Sequence, residues 1–214
     1  MHTHFSRDAV TTPEQLVARA VRAKLTVCAV SEHNNIDGAR AVQRLAPFRV
    51  IIAEEVKSSE GEIIGLFLRD PVPKGMSPED TVRAIKEQGG LVCVPHPFDT
   101  MRRSPLRTAA LMRILPDVDM LEVYNSRCLR QRDNARAAEF AAEHGLVPSA
   151  GSDAHWHPEV GNACVMMPSF EGPGDFLQAL RQGVIIGQPA GLVPHFVSTW
   201  AKIRFRLGLG GAAR

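Results

Sequence analysis

The chain has 214 residues, of which 44% are hydrophobic and 22% charged, and its formal net charge is +2 at pH 7. This length allows one domain with a substantial core and is short for two. The composition is that of an ordinary globular protein. The net charge is too small to indicate a nucleic-acid-binding protein by itself, so the function has to be sought in particular residues.

Cysteine usage and the N-terminal sequence indicate the cellular compartment. None of the four cysteines belongs to a Cys-x-x-Cys pair, and Cys28 and Cys93 lie inside apolar runs, so we expect buried thiols in a reducing compartment. The N-terminus lacks the apolar core of a signal peptide, and no run approaches the roughly 18 apolar residues of a membrane span. We therefore predict a cytoplasmic protein without a membrane segment.

Short apolar runs alternate with helical patterns along the chain. The runs predict strands over 25–31, 48–56, 61–68, 89–97, 119–125 and 144–153, with weaker candidates over 162–167 and 183–188. The segments between them predict helices over 12–24, 77–90, 130–145 and 174–183. The first helix shows the typical start, with Thr12 as N-cap and Pro13 at the first helical position. This alternation predicts an α/β fold with a mainly parallel sheet, open or closed into a barrel.

The alternation runs through the chain without a sequence repeat or a long linker. We therefore predict a single domain over residues 1–205. The remaining tail, 206–214, is rich in Gly and Ala and is predicted to be flexible.

Histidines and carboxylates recur where the predicted strands end. The candidates are His33, Glu54, Glu55, His96, Glu122, Asn125, Asp153 and His155. The carboxyl ends of parallel strands lie on one face of a sheet or barrel, so we expect these distant residues to converge on one site. A single histidine after a strand is usually a polar loop residue. The prediction therefore depends on the whole set.

Histidine with Asp and Glu, but without cysteine, suits divalent ions such as Zn, Mn or Fe. The candidates exceed what one ion needs, so we predict two or three ions. Glu54 and Glu55 are adjacent and should point to opposite sides of their strand, so at most one of them faces the site. A carboxylate such as Glu55 can bridge two ions. Closely spaced ions activate water for hydrolysis, most often of phosphate esters.

Six segments resemble a known family when taken in order: "HTHFSRDA", "SEHNN", "AEEVKSSEGEIIGLFL", "VPHPFD", "LEVYN" and "GSDAH". They are similar to the PHP (polymerase and histidinol phosphatase) family. The resemblance implies a distorted (β/α)7 barrel, with a trinuclear metal centre at the carboxyl ends of the strands. It also implies a phosphoesterase whose substrate is a nucleotide, a small phosphorylated metabolite or a short RNA.

The resemblance also assigns roles to individual residues. It implies the metal ligands His2, His4, Asp8, His33, Glu55, His96, Asp153 and His155, with Asp153, His155 and Glu55 in catalysis. Glu55 would bridge two ions, and Glu32 would orient His33 from behind. Glu62 stands where many relatives carry another histidine, and it is either a substitute ligand or a solvated turn residue.

The N-terminus can be aligned with the family in two ways. In one alignment, His2 and His4 are the paired histidines of the family's first motif. In the other, His2 is the second histidine and His4 a variable position, so that the first histidine and the first strand are missing. His2 is a ligand in both alignments and His4 in only one.

Substrate contacts are predicted on the loop after His96 and at the end of the fifth strand. Arg102 and Arg103 are placed to bind phosphate, although either also fits a solvated basic loop. Asn125 reaches a substrate hydroxyl or caps the next helix. Two other functions remain open: a hydrolase of C–N or C–O bonds with the same ligands, and a non-catalytic scaffold that has lost its metals. Oligomeric state is not predicted.

Overall fold

The computed structural model describes residues 1–207, and it contains all the strands and helices predicted above. The strands are β1 (Val27–His33), β2 (Arg49–Ser58), β3 (Gly61–Leu66), β4 (Leu91–Val94), β5 (Met120–Asn125), β6 (Val147–Gly151), β7 (Ala163–Met166) and β8 (Val184–Gly187). The helices are α1 (Pro13–Arg22), α2 (Asp37–Leu45), α3 (Pro78–Glu87), α4 (Thr108–Ile114), α5 (Gln131–His144), α6 (Pro173–Arg181) and α7 (Val193–Arg206).

Three helices, α2, α4 and α7, were not predicted from the sequence. Their N-cap residues are Ile36, Arg107 and Leu192, and none of these makes a side-chain capping hydrogen bond. A polar N-cap is the main local signal for a helix start, so these helices give no such signal. By contrast, α1 has a complete capping box between Thr12 and Gln15.

Strands β1 to β6 form one sheet in sequence order. β1–β2, β4–β5 and β5–β6 are parallel, whereas β3 is antiparallel to both of its neighbours. The reversal at β3 departs from the uniform alternation expected, because β2 and β3 form a hairpin instead of a helical crossover. Ser58 closes this hairpin by donating its hydroxyl hydrogen to the carbonyl of Gly61 at 2.6 Å.

The sheet is curled into a half-barrel, and the first residues of the chain lie between its two edges. The backbone N–H of Ser31 on β1 donates to the carbonyl of Met1, and the N–H of His2 donates to the carbonyl of Ala154 just after β6. Strands β7 and β8 form a separate antiparallel pair. Six strands therefore make up the main sheet within residues 1–207, where the resemblance implied seven.

Apolar layers cover both faces of the half-barrel. On one face, Phe170, Phe176 and Leu180 pack with Met120 of β5. The other face packs against a larger cluster that includes α3, α4 and α5. Burial of each such side chain stabilises the fold by about 1.5–3 kcal/mol.

Two further expectations concern the thiols and the tail. Cys28 and Cys93 are buried, as predicted. Arg206, the first residue of the predicted tail, is the last residue of α7, and residues 208–214 lie outside the described residues. In the part of the chain that the structure describes, no helix combines the length and apolarity needed to cross a membrane.

Candidate metal centre

Seven of the eight predicted metal ligands come together at one end of the half-barrel. They are His2, Asp8, His33, Glu55, His96, Asp153 and His155. The imidazole of His2 lies at the middle, with ring centroids 4.4 Å from His33 and 4.3 Å from His155. Ligand atoms of these three histidines lie within 4.8 Å of one another.

Glu55 connects two groups of histidines through its two carboxylate oxygens. Its Oε2 lies 3.3 Å from Nε2 of His2 and 3.2 Å from Nδ1 of His33. Its Oε1 lies 3.2 Å from Nε2 of His96. One carboxylate oxygen therefore faces each group, which is the geometry that a bridging ligand requires.

Glu54 lies on the opposite face of β2 from Glu55, as the strand alternation predicts. Its Oε2 accepts a hydrogen bond from the backbone N–H of Val72 at 2.7 Å, whereas its Oε1 is buried without a hydrogen-bond partner among the described residues. Burial raises the pKa of Glu54 to about 7. Glu54 therefore makes no contact with the histidine cluster.

The N-terminal segment that carries His2 and Asp8 is held by Glu32. One carboxylate oxygen of Glu32 accepts hydrogen bonds from the backbone N–H and the hydroxyl of Thr3, at 2.8 and 2.5 Å. The other accepts from the hydroxyl of Ser6 at 2.5 Å, and that hydroxyl in turn accepts from the backbone N–H of His33. Glu32 thus positions His33 through Ser6 and fixes the approach of His2.

The loop after β6 supplies Asp153 and His155. Asp153 has a positive φ of 51°, an uncommon backbone conformation for a non-glycine residue that often marks functional sites. Its Oδ1 lies 3.1 Å from Nε2 of His2. Nδ1 of His155 lies 2.7 Å from the backbone carbonyl of Asp153, while its Nε2 lies 3.6 Å from Oδ1 of Asp8.

His96 is oriented from behind by Glu122. The backbone N–H of His96, which also has a positive φ, donates to Oε2 of Glu122 at 2.8 Å. The side-chain amide of Asn125 donates to the same oxygen at 2.9 Å, and it lies 3.4 Å from Oδ2 of Asp153. A Cβ at Gly151 would collide with Glu122, so this close approach requires glycine.

Glu62 joins the cluster from the start of β3, next to His33 and His96. Its ligand oxygen lies within 4.8 Å of ligand atoms of His33 and Glu55, and its Oε2 is 3.8 Å from Nε2 of His96. Burial and the nearby charge of Glu55 raise the pKa of Glu62 to about 7. Of the two sequence interpretations, the geometry supports a substitute ligand over a solvated turn residue.

The ionisable groups of the centre shift one another's pKa values. Burial would raise the pKa of Glu55, but His33 and the other histidines hold it well below its usual range. Burial would lower the pKa of His33, but the carboxylates of Glu55 and Asp8 raise it to about 10. Burial and the neighbouring His155 and His33 lower the pKa of His2 to about 3. At pH 7 Glu55 is therefore ionised and His2 is neutral, which are the forms that bind metals, whereas His33 is protonated and has to release its proton before it can bind one.

His4 lies outside this cluster. Its side chain is exposed and its ring stacks on Phe5, with the centroids 4.8 Å apart. This position favours the alignment in which His2 is the second histidine of the family's first motif and His4 the variable position.

The two arginines predicted to bind substrate occupy different environments. Nη1 of Arg102 lies 2.6 Å from Oδ2 of Asp153, and its Nε lies 3.0 Å from Oδ2 of Asp99. Arg103 is exposed. Of the pair, Arg102 is therefore the one that the structure brings to the centre.

Helix α7 reaches the centre, which the sequence did not indicate. Nζ of Lys202 lies 3.1 Å from Oδ2 of Asp8, and the guanidinium of Arg7 lies over the ring of Phe205, 4.9 Å from its centroid. No sequence signal pairs these positions, because they are nearly 200 residues apart and α7 lacks a polar N-cap.

A buried ion pair connects α7 to the loop after β6 that carries Asp153 and His155, which we call the ligand loop. Arg127 donates from Nη2 to the carbonyl of Pro194 at 3.0 Å and to the hydroxyl of Ser198 at 2.8 Å. Its Nε lies 3.3 Å from Oε1 of Glu159, whose Oε2 accepts the backbone N–H of His155 at 3.0 Å. We call Arg127 and Glu159 the latch.

The donor set fits divalent metal ions. It contains imidazole nitrogens and carboxylate oxygens without thiolate, which suits Mn, Zn or Fe. Oδ1 of Asp8 is buried without a hydrogen-bond partner among the described residues and faces His33 and His155. A cation between these groups would satisfy this oxygen and offset the charge of the ionised carboxylates.

Comparisons with known proteins identify the class. The family model described as PHP-associated matches residues 131–185. An uncharacterized protein of Methanocaldococcus jannaschii is 32% identical over 179 residues, which cover 79% of this chain and 72% of the relative.

Solved structures share the fold at low sequence identity. A two-domain protein of Bacteroides vulgatus that contains a predicted PHP-like metal-dependent phosphoesterase superposes with a TM-score of 0.68 at 20% identity. The match covers 88% of this chain and 63% of that protein, so the chain spans less than two thirds of its length. The lesion-specific endonuclease Q of Pyrococcus furiosus superposes with a TM-score of 0.62 at 16% identity, over 85% of this chain and 54% of the endonuclease.

The chain belongs to the PHP family. The family model carries this assignment, and the fold shared with the PHP-like structure agrees with it. The resemblance inferred from the six sequence segments is therefore confirmed at the level of the family.

Proposed function

We propose that the protein is a metal-dependent phosphoesterase that hydrolyses a phosphorylated small molecule, such as a nucleotide, or the end of a short RNA. The observation that carries this proposal is the position of Glu55, with one oxygen facing His2 and His33 and the other facing His96. Such a carboxylate is suited to hold two ions side by side, as phosphate-ester hydrolysis by clustered metals requires.

The proposed ligands divide between the two oxygens of Glu55. His2 and His33 lie beside Oε2 and are themselves in contact with Asp153, Asp8 and His155, while His96 lies beside Oε1 and near Glu62. Two or three ions of Mn, Zn or Fe held there would polarise a phosphoryl oxygen and lower the pKa of a water molecule.

The chain's own groups would then position the reactants. Asp153 accepts a hydrogen bond on one oxygen and pairs with Arg102 on the other, so it is held in one orientation. It can orient an attacking water through its carboxylate. Where it does not hold an ion, His155 can exchange a proton with the leaving oxygen through Nε2, since its Nδ1 bonds to the carbonyl of Asp153. Arg102 can bind a phosphate oxygen by charge-assisted hydrogen bonds.

Two alternatives are less well supported. A scaffold that had lost its metals should have lost ligands, yet seven of the eight predicted ligands converge here. A hydrolase of C–N or C–O bonds would not need a partly buried arginine beside the metal ligands. Arg102 thus favours an anionic substrate, as phosphate esters are.

A metal analysis combined with a substrate screen tests the proposal. We expect two or three tightly bound ions per chain, and manganese-stimulated release of phosphate from nucleotides, sugar phosphates or short RNA. Activity should disappear with a chelator and return with the metal. Protein that binds no metal, or hydrolysis that is insensitive to the chelator, would refute the proposal.

A further inference from the structure

Helix α7 exposes a row of apolar side chains on its outer side. Each of these side chains is between 42% and 71% exposed. They recur at alternating intervals of three and four residues, and they are Val193, Phe196, Trp200, Ile203 and Leu207. At 3.6 residues per turn, the five positions fall within an arc of about 80° on the helix surface. We call this row the seam.

The domain holds α7 by the side that faces away from the seam. The buried residues of the helix are Pro194, Ser198 and Ala201. The latch binds two of them, since Arg127 donates to the carbonyl of Pro194 and to the hydroxyl of Ser198. The seam therefore points outward, in a direction that the buried side of the helix sets.

The spacing of the seam is that of a contact between two helices. Alternating intervals of three and four residues define the a and d positions of a coiled coil, where the side chains of one helix fit between those of the other. Such a row is narrower than the apolar face by which a helix packs on a core. Thr199 and Arg204 lie on either side of the seam, so polar groups limit its width. One further helix is therefore the partner that fits this row.

The charges of α7 favour a second copy of the same helix that runs in the opposite direction. Residues 193–201 contain no Lys, Arg, Asp or Glu, and the cations follow at Lys202, Arg204 and Arg206. In a parallel pair the cations of both copies would lie side by side and repel each other. In an antiparallel pair each cationic end meets the uncharged end of the other helix. The net charge of +2 adds little general repulsion between two copies.

The antiparallel arrangement also pairs the seam with itself. When the pair is centred between Phe196 and Trp200, Phe196 of one copy lies against Trp200 of the other, and Val193 lies against Ile203. Two-fold symmetry repeats both contacts, so the same surface serves on both copies, as in most homodimers. The two Arg204 residues are then about 18 Å apart along the helix axis, well beyond the Debye length of about 8 Å at physiological salt.

The seam offers enough area for a weak dimer. Phe196 and Trp200 together expose roughly 200–300 Å² per chain, since aromatic side chains carry about 150–250 Å² each. With the aliphatic members, two seams would bury about 1,000 Å² in total, which is at the lower end of specific interfaces. The fixed direction of α7 lowers the cost of ordering on association. We therefore expect a dissociation constant of about 1–100 µM.

We propose that the protein forms a two-fold symmetric dimer through antiparallel packing of two seams. The contact between Phe196 and Trp200 forms the centre and carries most of the binding, because large aromatic side chains at the centre of an interface contribute most. The dimer goes beyond the proposed function and does not depend on it, since no seam residue belongs to the candidate metal centre or to the latch.

Sedimentation velocity on the full chain, at concentrations of about 1–300 µM, tests the dimer. We expect the weight-average mass to rise with concentration from that of one chain toward that of two. Phe196→Asp places a charge at the centre of the contact twice, so it should raise the dissociation constant about tenfold or more. Trp200→Asp should have the same effect, and circular dichroism should show that both variants are folded.

The matched control is Met112→Asp, which makes the same change of charge at an exposed apolar residue of α4. Met112 lies outside α7, so we expect this variant to keep the dissociation constant of the wild type. Equal weakening in Met112→Asp and Phe196→Asp would show a general effect of charge and would overturn the proposal.

Disulfide cross-linking tests the direction of the pair. In the antiparallel dimer Val193 of one copy lies against Ile203 of the other. A mixture of Val193→Cys and Ile203→Cys chains should therefore form a disulfide between the two variants on mild oxidation. Neither variant alone should cross-link more than the wild type, which keeps its four native cysteines. A disulfide between two Val193→Cys chains would show a parallel pair and overturn the proposed geometry.

The remaining outcomes also decide the matter. A wild-type chain that stays monomeric at about 300 µM overturns the proposal, and so does a dimer that persists unchanged in both Phe196→Asp and Trp200→Asp. If the wild-type monomer instead sediments with vesicles that contain phosphatidylglycerol, and Phe196→Asp abolishes this binding, the seam contacts a membrane surface and the dimer is refuted.

Discussion

Glu54 and Glu55 are neighbours on β2, yet their environments are opposites. Glu55 faces three histidines, which keep its carboxylate ionised. Glu54 faces the apolar side of the sheet and has one hydrogen bond, so burial raises its pKa to about 7. The comparison shows that β-strand alternation alone separates a carboxylate at the candidate centre from one that makes no contact with it.

The largest effect on the difference between these two residues is expected when each glutamate is changed to glutamine in turn. We expect Glu55→Gln to lower kcat about 10³-fold, within the usual range for loss of such a group, and to release bound metal, because the bridging charge is gone. Glu54→Gln should keep both its metal content and its activity. Metal analysis and phosphate release measure the two effects. Equal losses in both variants would show that β2 faces the site differently.

Asp153 allows a second test of the histidine side, because it is another carboxylate in contact with His2. Asp153→Asn keeps the shape but removes one charge beside His2 and Arg102. We expect kcat to fall about 10²-fold or more with the fold intact, as checked by steady-state kinetics and circular dichroism. If Asp153→Asn keeps full activity and full metal content, Asp153 has no role in metal binding or catalysis and only forms the turn.

Arg102 tests whether the histidine side also recognises substrate. We expect Arg102→Ala to raise KM for a phosphate ester about tenfold while bound metal stays constant, because a charge-assisted contact is lost. The matched control is Arg103→Ala, since Arg103 is adjacent but exposed. An unchanged KM in the Arg102→Ala variant would show that Arg102 does not bind the substrate.

Glu54, on the apolar side of the sheet, is tested through the free energy of unfolding, because we expect its replacement to have almost no effect on activity. The pKa of Glu54 is about 7 in the fold against 4.5 ordinarily, so the folded state binds a proton that the unfolded state releases. The free energy of unfolding should therefore fall as the pH rises from about 4.5 to about 7. This contribution amounts to about 3 kcal/mol at most.

Urea denaturation at pH 5 and pH 8, with a chelator present, measures this term. Glu54→Gln cannot titrate, so its stability relative to the wild type should increase between the two pH values. Glu87→Gln, an exposed carboxyl on α3, is the control and should follow the wild type. Parallel behaviour of wild type and Glu54→Gln would show that Glu54 is ionised in the fold.

The sequence indicated the part of the centre that lies at strand ends. His33, His96 and Asp153 each follow an apolar run, and the rule that parallel strands end on one face was enough to bring them together. The rule did not predict the direction of β3, because β3 runs antiparallel to β2 after the short turn between Ser58 and Gly61. Glu62 reaches the site for that reason, from the start of its strand.

The other contributions depend on contacts between distant segments, for which local patterns carry no signal. Glu32 was expected to orient His33 from behind, and it contacts the backbone of His33 through Ser6 while it also holds the N-terminal segment through Thr3. Lys202 contacts Asp8 although 193 residues separate them. Such pairings arise from packing of the whole chain, and neither periodicity nor capping residues encode them.

The latch has a consequence for how the protein can move. Arg127 ties the first half of α7, at Pro194 and Ser198, to Glu159, which in turn holds the backbone of His155. The start of α7 and the ligand loop are therefore tied to each other through two buried side chains. Beyond Ser198 this tie no longer holds the helix, so we expect the end of α7 that carries Lys202 to be the part with more freedom to move.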